Sequence, residues 1–227
     1  MAERLFTDAE LLEMGKETVD LVEAAIDAGD LQKAKKLNRR MYKEFFSMHE
    51  GFRDWIATLM SYIQKHMGDE ALYEALSEVF KDFVFLAQIY RVENAKRQGQ
   101  MLAAGFRGHL TPLKVEEDDE KITVMMTPCG SGGRAVLNGL YKPPKNLATL
   151  TKPQKMTWGR KDVPVYCAHC ALQDIIPIEA TGYPIWVIEP PDEFGTQPCK
   201  YHMYKDPDKI PAKYYERYGL KKPVKKA

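Results

Sequence analysis

Residues 162–207 read DVPVYCAHCALQDIIPIEATGYPIWVIEPPDEFGTQPCKYHMYKDP and hold three of the chain's four cysteines and two of its five histidines. The segment "AHCALQDIIPIEATG" has the apolar spacing of a short helix, and it is expected to break near Pro177, which lacks a backbone donor. "YPIWVIEP" is the β-branched and aromatic run of a buried strand, and "CKYHMYK" reads as another. With a front half that reads as helix, this gives an α+β class. The N-terminal half is helical, and a small, mainly antiparallel sheet with packed helices and a metal site follows it.

The cysteines and histidines of the stretch form Cys167-x2-Cys170-x28-Cys199-x2-His202. Ligands two residues apart suit tetrahedral zinc, because one tight turn aims both side chains at a common point. Two features complicate the set. Cys170 on a helix can face the core as a small hydrophobe. On a strand, Cys199 and His202 point to opposite faces, which opens a position to Glu189 or Asp192.

The fourth cysteine lies upstream in "TPCGSGGR", residues 127–134. Gly130, Gly132 and Gly133 let the backbone approach a ligand and turn its N–H groups inward, with Ser131 between them. Such a loop suits a carboxylate or phosphate, and Arg134 can pair with the same anion. A plain tight turn is the competing reading. The loop has neither the phosphate-loop nor the dinucleotide spacing. Cys129 has three competing roles: metal ligand, covalent nucleophile activated by neighbouring backbone donors, or inert buried thiol. As a nucleophile it needs a base, and His109 and His169 are the candidates.

Residues 1–104 are expected to be helical. Thr7 and Glu10 form a capping box. Leu37, Met41, Phe45, Met48, Phe52, Trp55, Ile56, Leu59 and Ile63 form a wide apolar stripe, read as core or as one wall of an apolar pocket. Gly68 ends that helix and Asp69 caps the next. His49 and Arg53 read as a solvated polar edge, and His66 as a C-terminal cap. After Gly105, "LTPLKVEEDDEKITVMMTP" reads as a hairpin. Residues 141–162, rich in proline and lysine, read as a long ordered loop or lid. The three regions are thus 1–104, helical; 105–207, metal- and ligand-binding; and 208–227, a basic tail.

A formal charge of +1 gives no global reason to bind nucleic acid or an anionic membrane. The first residues lack a signal-peptide pattern, and no apolar run reaches ~18 residues. The chain therefore reads as cytoplasmic, with reduced thiols, a small-molecule substrate or ligand, and room for a homodimer.

The order "YC", helix, "ATG", strand ending in "VIEPPD", loop and C-x-x-H resembles the V4R (4-vinyl reductase type) small-molecule-binding domain. It is similar, too, to proteins grouped with L-2-amino-thiazoline-4-carboxylic acid hydrolase, which share a helical front and a cysteine-bearing tail. The resemblance covers about 70 to 100 residues and does not include "PCGSGGR". It implies zinc held by Cys167, Glu189 and Cys199, with Asp192 where the family has a further cysteine. The expected function is a zinc-dependent hydrolase or lyase acting on a small organic acid or amide-like compound. The metal ligands would come from Cys129, Cys167, Cys170, Glu189, Cys199 and His202. Catalysis would use Cys129, His109 and His169, with Gly130, Ser131, Gly132, Gly133 and Arg134 holding substrate. The alternatives are a non-catalytic V4R-like sensor with structural zinc, and an iron or iron–sulfur protein using all four cysteines.

Overall fold

A computed structural model describes residues 4–224. The chain divides into two compact units, residues 1–52 and 53–227. In the first, Thr7 and Glu10 form the expected capping box at the start of α1 (Asp8–Met14), and α2 (Thr18–Asp27) follows. Gly29 turns the chain with a positive φ of 72°, where only glycine is unstrained, into α3 (Leu31–Phe80). Gly68, at φ 91° and ψ 177°, interrupts α3 where the sequence placed a helix end.

In the second unit α4 (Phe83–Val92) and α5 (Ala95–Arg107) lead into a four-stranded antiparallel sheet. Its strands are β1 (Leu113–Glu117), β2 (Lys121–Met126), β5 (Val187–Glu189) and β6 (Lys200–Tyr204), in the order β1-β2-β6-β5. The hairpin β1–β2 closes on Asp118, whose carboxylate accepts from the N–H groups of Glu120 and Lys121. α5 packs on β1, β2 and β6, the short α6 (Gly132–Leu137) follows β2, and α7 (Ala168–Thr181) packs on β5. The α+β class and the antiparallel sheet are as expected, and no helix among the described residues is long and apolar enough to cross a membrane.

Four local expectations need correction. α7 runs through Pro177 without breaking. Residues 141–162 are the ordered loop of the two readings and not the lid, because Leu147, Leu150, Met156 and Trp158 are buried core. The pair β3 (Thr149–Leu150) and β4 (Val163–Pro164) staples that segment together. Most of the stripe on α3 is not core: in the second unit Trp55 is 61% exposed and Leu59 50%, while Ala57, Met60 and Ser61 face inward and only Ile63 of the stripe packs against the core there. Arg53, read as a solvated edge, is 3% exposed and donates to Asp54. The apolar stripe was wide enough to fit either orientation, and the smaller residues make the closer packing surface.

The expected tail from 208 also begins later. Ile210, Tyr214, Tyr215 and Tyr218 are buried, around α8 (Lys213–Glu216). Asp174, on α7, fastens this segment. Its Oδ2 accepts from Arg217 Nη2 at 2.6 Å, the Tyr218 hydroxyl at 2.8 Å and the Ile188 N–H at 3.2 Å. One carboxylate thus joins helix, sheet and C-terminal segment. Burial pushes it up to about 6, against the lowering effect of Arg217, Tyr218 and the Ile188 N–H. Removing one partner of a buried pair strands the other in a dry interior. Asp174→Ala is expected to lower the unfolding free energy by about 3 kcal/mol, measured by urea denaturation, whereas Lys155→Ala at the exposed pair with Glu179 changes it by under about 0.5 kcal/mol.

Candidate metal centre

The register of β2 and β6 sets the first half of the site. Met125 lies opposite Lys200, so Cys199, just before β6, and Cys129, three residues beyond β2, meet at the same end of the sheet. The second half comes from the turn that starts α7. Cys167 closes a 3-10 turn (Val165–Cys167), and Cys170 follows in the first turn of the helix. All four cysteines are buried thiols, and none is in a disulfide. They line one small cavity together with Gly132, Gly133, His169 and Gln197, and Trp158, Pro191 and Phe194 complete its apolar wall. Its free space is about 20 Å³, room for one water molecule or one ion.

The four sulfurs are not equivalent. Cys129 accepts a hydrogen bond from the Cys199 thiol, which lowers its pKa most; burial opposes this, and the N–H groups of Gly133, Ser131 and Gly132 lower it further. The proton of the pair therefore stays on Cys199, whose pKa rises well above that of an ordinary thiol. Burial also raises Cys167 well above the usual range and pushes Cys170 up to about 12, each reinforced by charge on neighbouring cysteines. Four sulfurs in one dry space cannot all ionise unless a cation neutralises them. His169 Nδ1 donates to the Tyr166 carbonyl at 2.5 Å, which leaves Nε2 as the lone pair, 3.5 Å from Cys170 Sγ. Burial holds the ring neutral by lowering its pKa. A ring nitrogen anchored to a carbonyl while the other faces the donors is the arrangement metal-bound histidines use.

The glycine loop serves the sulfur. Three of its N–H groups point at Cys129, so the anion it holds is part of the chain. Arg134 Nη1 donates to the carbonyls of His109 and Leu110, at 2.9 and 3.1 Å, and His109 Nδ1 is 2.6 Å from Ser131 Oγ. Gly130 presses on the His109 carbonyl, where a Cβ would collide with backbone. Gly130, Ser131, Arg134 and His109 thereby lock the loop in place, and they are not among the residues that line the cavity.

Glu189 and His202 lie elsewhere. Strand alternation puts Cys199 and Tyr201 on one face of β6 and His202 on the other, as the sequence implied. Tyr201 reaches Cys170 Sγ at 3.7 Å. His202 is held between the Thr123 hydroxyl and Glu189 Oε2, both at 2.9 Å. The ligand set implied by the resemblance, Cys167, Glu189 and Cys199, is thus not gathered at one point, and Asp192 does not line the cavity. Trp158 was missed. It sits in left-handed backbone at φ 54°, and its buried Nε1–H has no partner among the described residues. Its only sequence signal was an aromatic side chain among prolines and lysines.

Among the described residues no three of His, Cys, Asp and Glu are arranged to close around an ion, so the thiols line the cavity without converging on a single point. The loop's fit is tight: a Cβ on Gly132 would stand 2.7 Å from Cys167 Sγ, and one on Gly133 2.8 Å from the Cys129 Cβ. Gly130→Ala is expected to lower stability by about 2 kcal/mol in chemical denaturation. Gly132→Ala, whose neighbour is a movable thiol, should cost less but speed labelling of Cys167 by a thiol reagent, followed by peptide mass spectrometry. In comparison with known proteins, the chain matches no family model, no curated protein and no solved structure.

Proposed function

We propose that the protein is a zinc–thiolate enzyme, a hydrolase or lyase for a small organic compound, whose centre is the cavity of Cys129, Cys167, Cys170 and Cys199. The observation that carries this reading is that four cysteines from three separate segments line the same enclosed space. Soft thiolates select zinc and similar cations, and an ion offsets both the burial that chiefly raises the pKa of Cys167 and Cys170 and the charge that neighbouring cysteines add at Cys167, Cys170 and Cys199. Binding one ion requires the sulfurs that share the cavity to turn about Cα–Cβ until they meet at a single point. Room for a single ion favours a mononuclear site over a cluster.

The enzymatic part rests on the donor count. Four thiols and His169 Nε2 offer five donors, and zinc takes four. Four thiolates would fill and close the ion, so an enzyme must keep one donor off the metal, which leaves a position for substrate with His169 beside it as proton carrier. The cavity as it stands holds one ion alone, so substrate entry requires Trp158, Pro191, Phe194 and Gln197 to move apart, after which they supply an apolar surface and a polar contact. Arg134 is engaged with the backbone carbonyls of His109 and Leu110, so the carboxylate clamp is no part of this reading of the site. An iron–sulfur centre is the second reading, favoured by the unpartnered Trp158 N–H and the three backbone N–H groups at Cys129, since N–H donors to sulfur tune such clusters.

Elemental analysis of purified protein is expected to give one zinc per chain. Cys129→Ser, Cys167→Ser and Cys199→Ser should each lower zinc affinity at least about tenfold, and His66→Ala should leave it unchanged. Folded protein without stoichiometric metal overturns the reading, and a brown protein with iron and sulfide replaces zinc by the cluster. Cobalt-substituted protein separates enzyme from structural site. A visible spectrum that shifts when small thiols or carboxylates are added indicates an exchangeable position, and an unchanged spectrum indicates a closed one.

A further inference from the structure

The first unit, residues 1–52, is poorly covered. Among its described residues only Thr18, Leu21, Ala25 and Ala34 are buried. Leu11, Leu12 and Met14 on α1, Val19 on α2, and Tyr42, Phe45 and Met48 on α3 are between 41% and 68% exposed. At half exposure such side chains present on the order of 100 Å² each, so these seven offer roughly 700 Å². One partner in a standard interface contributes about 800 Å².

Charge is segregated along the same unit. From Asp8 to Asp30 there are eight carboxylates, Asp8, Glu10, Glu13, Glu17, Asp20, Glu23, Asp27 and Asp30, against the single Lys16. From Leu31 to Lys43 there are six cations and no carboxylate. These six cations line one broad groove on α3, with Gln32 and the carboxylates of Asp30 and Glu44 beside them. Arg40 pairs with Glu44 in the next turn. Among the described residues the other five cations form no ion pair.

We propose that this unit is a self-association module, in which the acidic α1–α2 pair of one copy docks on the basic, apolar side of α3 in a second copy. The same contact repeated by a two-fold axis uses both surfaces of both chains and closes, so no filament results. The chain itself supplies the acidic amphipathic element that the basic groove fits, which favours a second copy over an unrelated acidic partner. Apolar contact between the exposed stripes supplies the adhesion, and the opposed charges set orientation and the rate of encounter.

Sedimentation of the full-length protein at low and high salt tests this. A dimer is expected, with a dissociation constant that rises with salt. Phe45→Asp should yield monomer with unchanged circular dichroism. Lys35→Glu with Arg39→Glu, and separately Asp20→Lys with Glu23→Lys, should each weaken the dimer by roughly tenfold or more. Mixing the two charge-reversed proteins should restore association, a result that mere unfolding of either cannot give. A wild-type monomer at low salt overturns the proposal, as does a dimer unaffected by all three variants. A monomer that binds an acidic polymer through Lys35 and Arg39 assigns the groove to another partner and likewise overturns it.

Discussion

The antiparallel pairing of β2 with β6 is the constraint on which the candidate centre stands. A strand pair fixes the distance between its two chains at every step, and Met125 opposite Lys200 determines where each strand ends. Cys129 and Cys199, 70 residues apart in sequence, are therefore delivered to one corner of the sheet. A slip of one residue would turn Cys199 to the opposite face and put Pro198 or Lys200 in its place. The register is held by the bonds of His202 to Thr123 on β2 and Glu189 on β5, which tie three strands on the face away from the sulfurs. The histidine that the motif nominated as a ligand thus acts through the alignment of a cysteine that lines the cavity.

The other side of the corner depends on α7. Asp174 stands one turn after Cys170, and its bonds to Ile188, Arg217 and Tyr218 fix the helix against the sheet. Buried polar contacts of this kind are worth little beyond an apolar replacement in net stability, but they specify one arrangement among several. Tyr201 supplies the last contact, with its hydroxyl at Cys170 and its ring against Phe106 of α5. The cavity is therefore bounded by elements whose positions are each set by a directional bond as well as by packing.

Much of this was legible in the sequence, and the failures have physical reasons. The capping box at Thr7, the interruption at Gly68 and the β1–β2 hairpin follow from local chemistry, which survives any tertiary context. Alternation along β6 correctly separated Cys199 from His202. Pro177 misled because its missing N–H costs one helical bond, and burial of α7 on both sides outweighs that loss. Residues 141–162 look polar by composition, yet Leu147, Leu150, Met156 and Trp158 go inward at irregular spacing that no period reveals. The glycine loop was read as a cradle for an external anion; which anion it holds depends on the Cys129 rotamer, a tertiary property. The joining of Asp174 to Arg217 spans 43 residues and has no sequence signature.

The C-terminal clamp has a consequence for how the molecule is made. Tyr214, Tyr215 and Tyr218 complete the core, and Arg217 is the partner of the carboxylate that seats α7. Until residues 210–218 have been added, Asp174 lacks Arg217 and Tyr218, and the helix that carries Cys170 is held to the sheet by its bond to the Ile188 N–H without them. The last segment to leave the ribosome is thus the one that fastens a helix begun about 50 residues earlier.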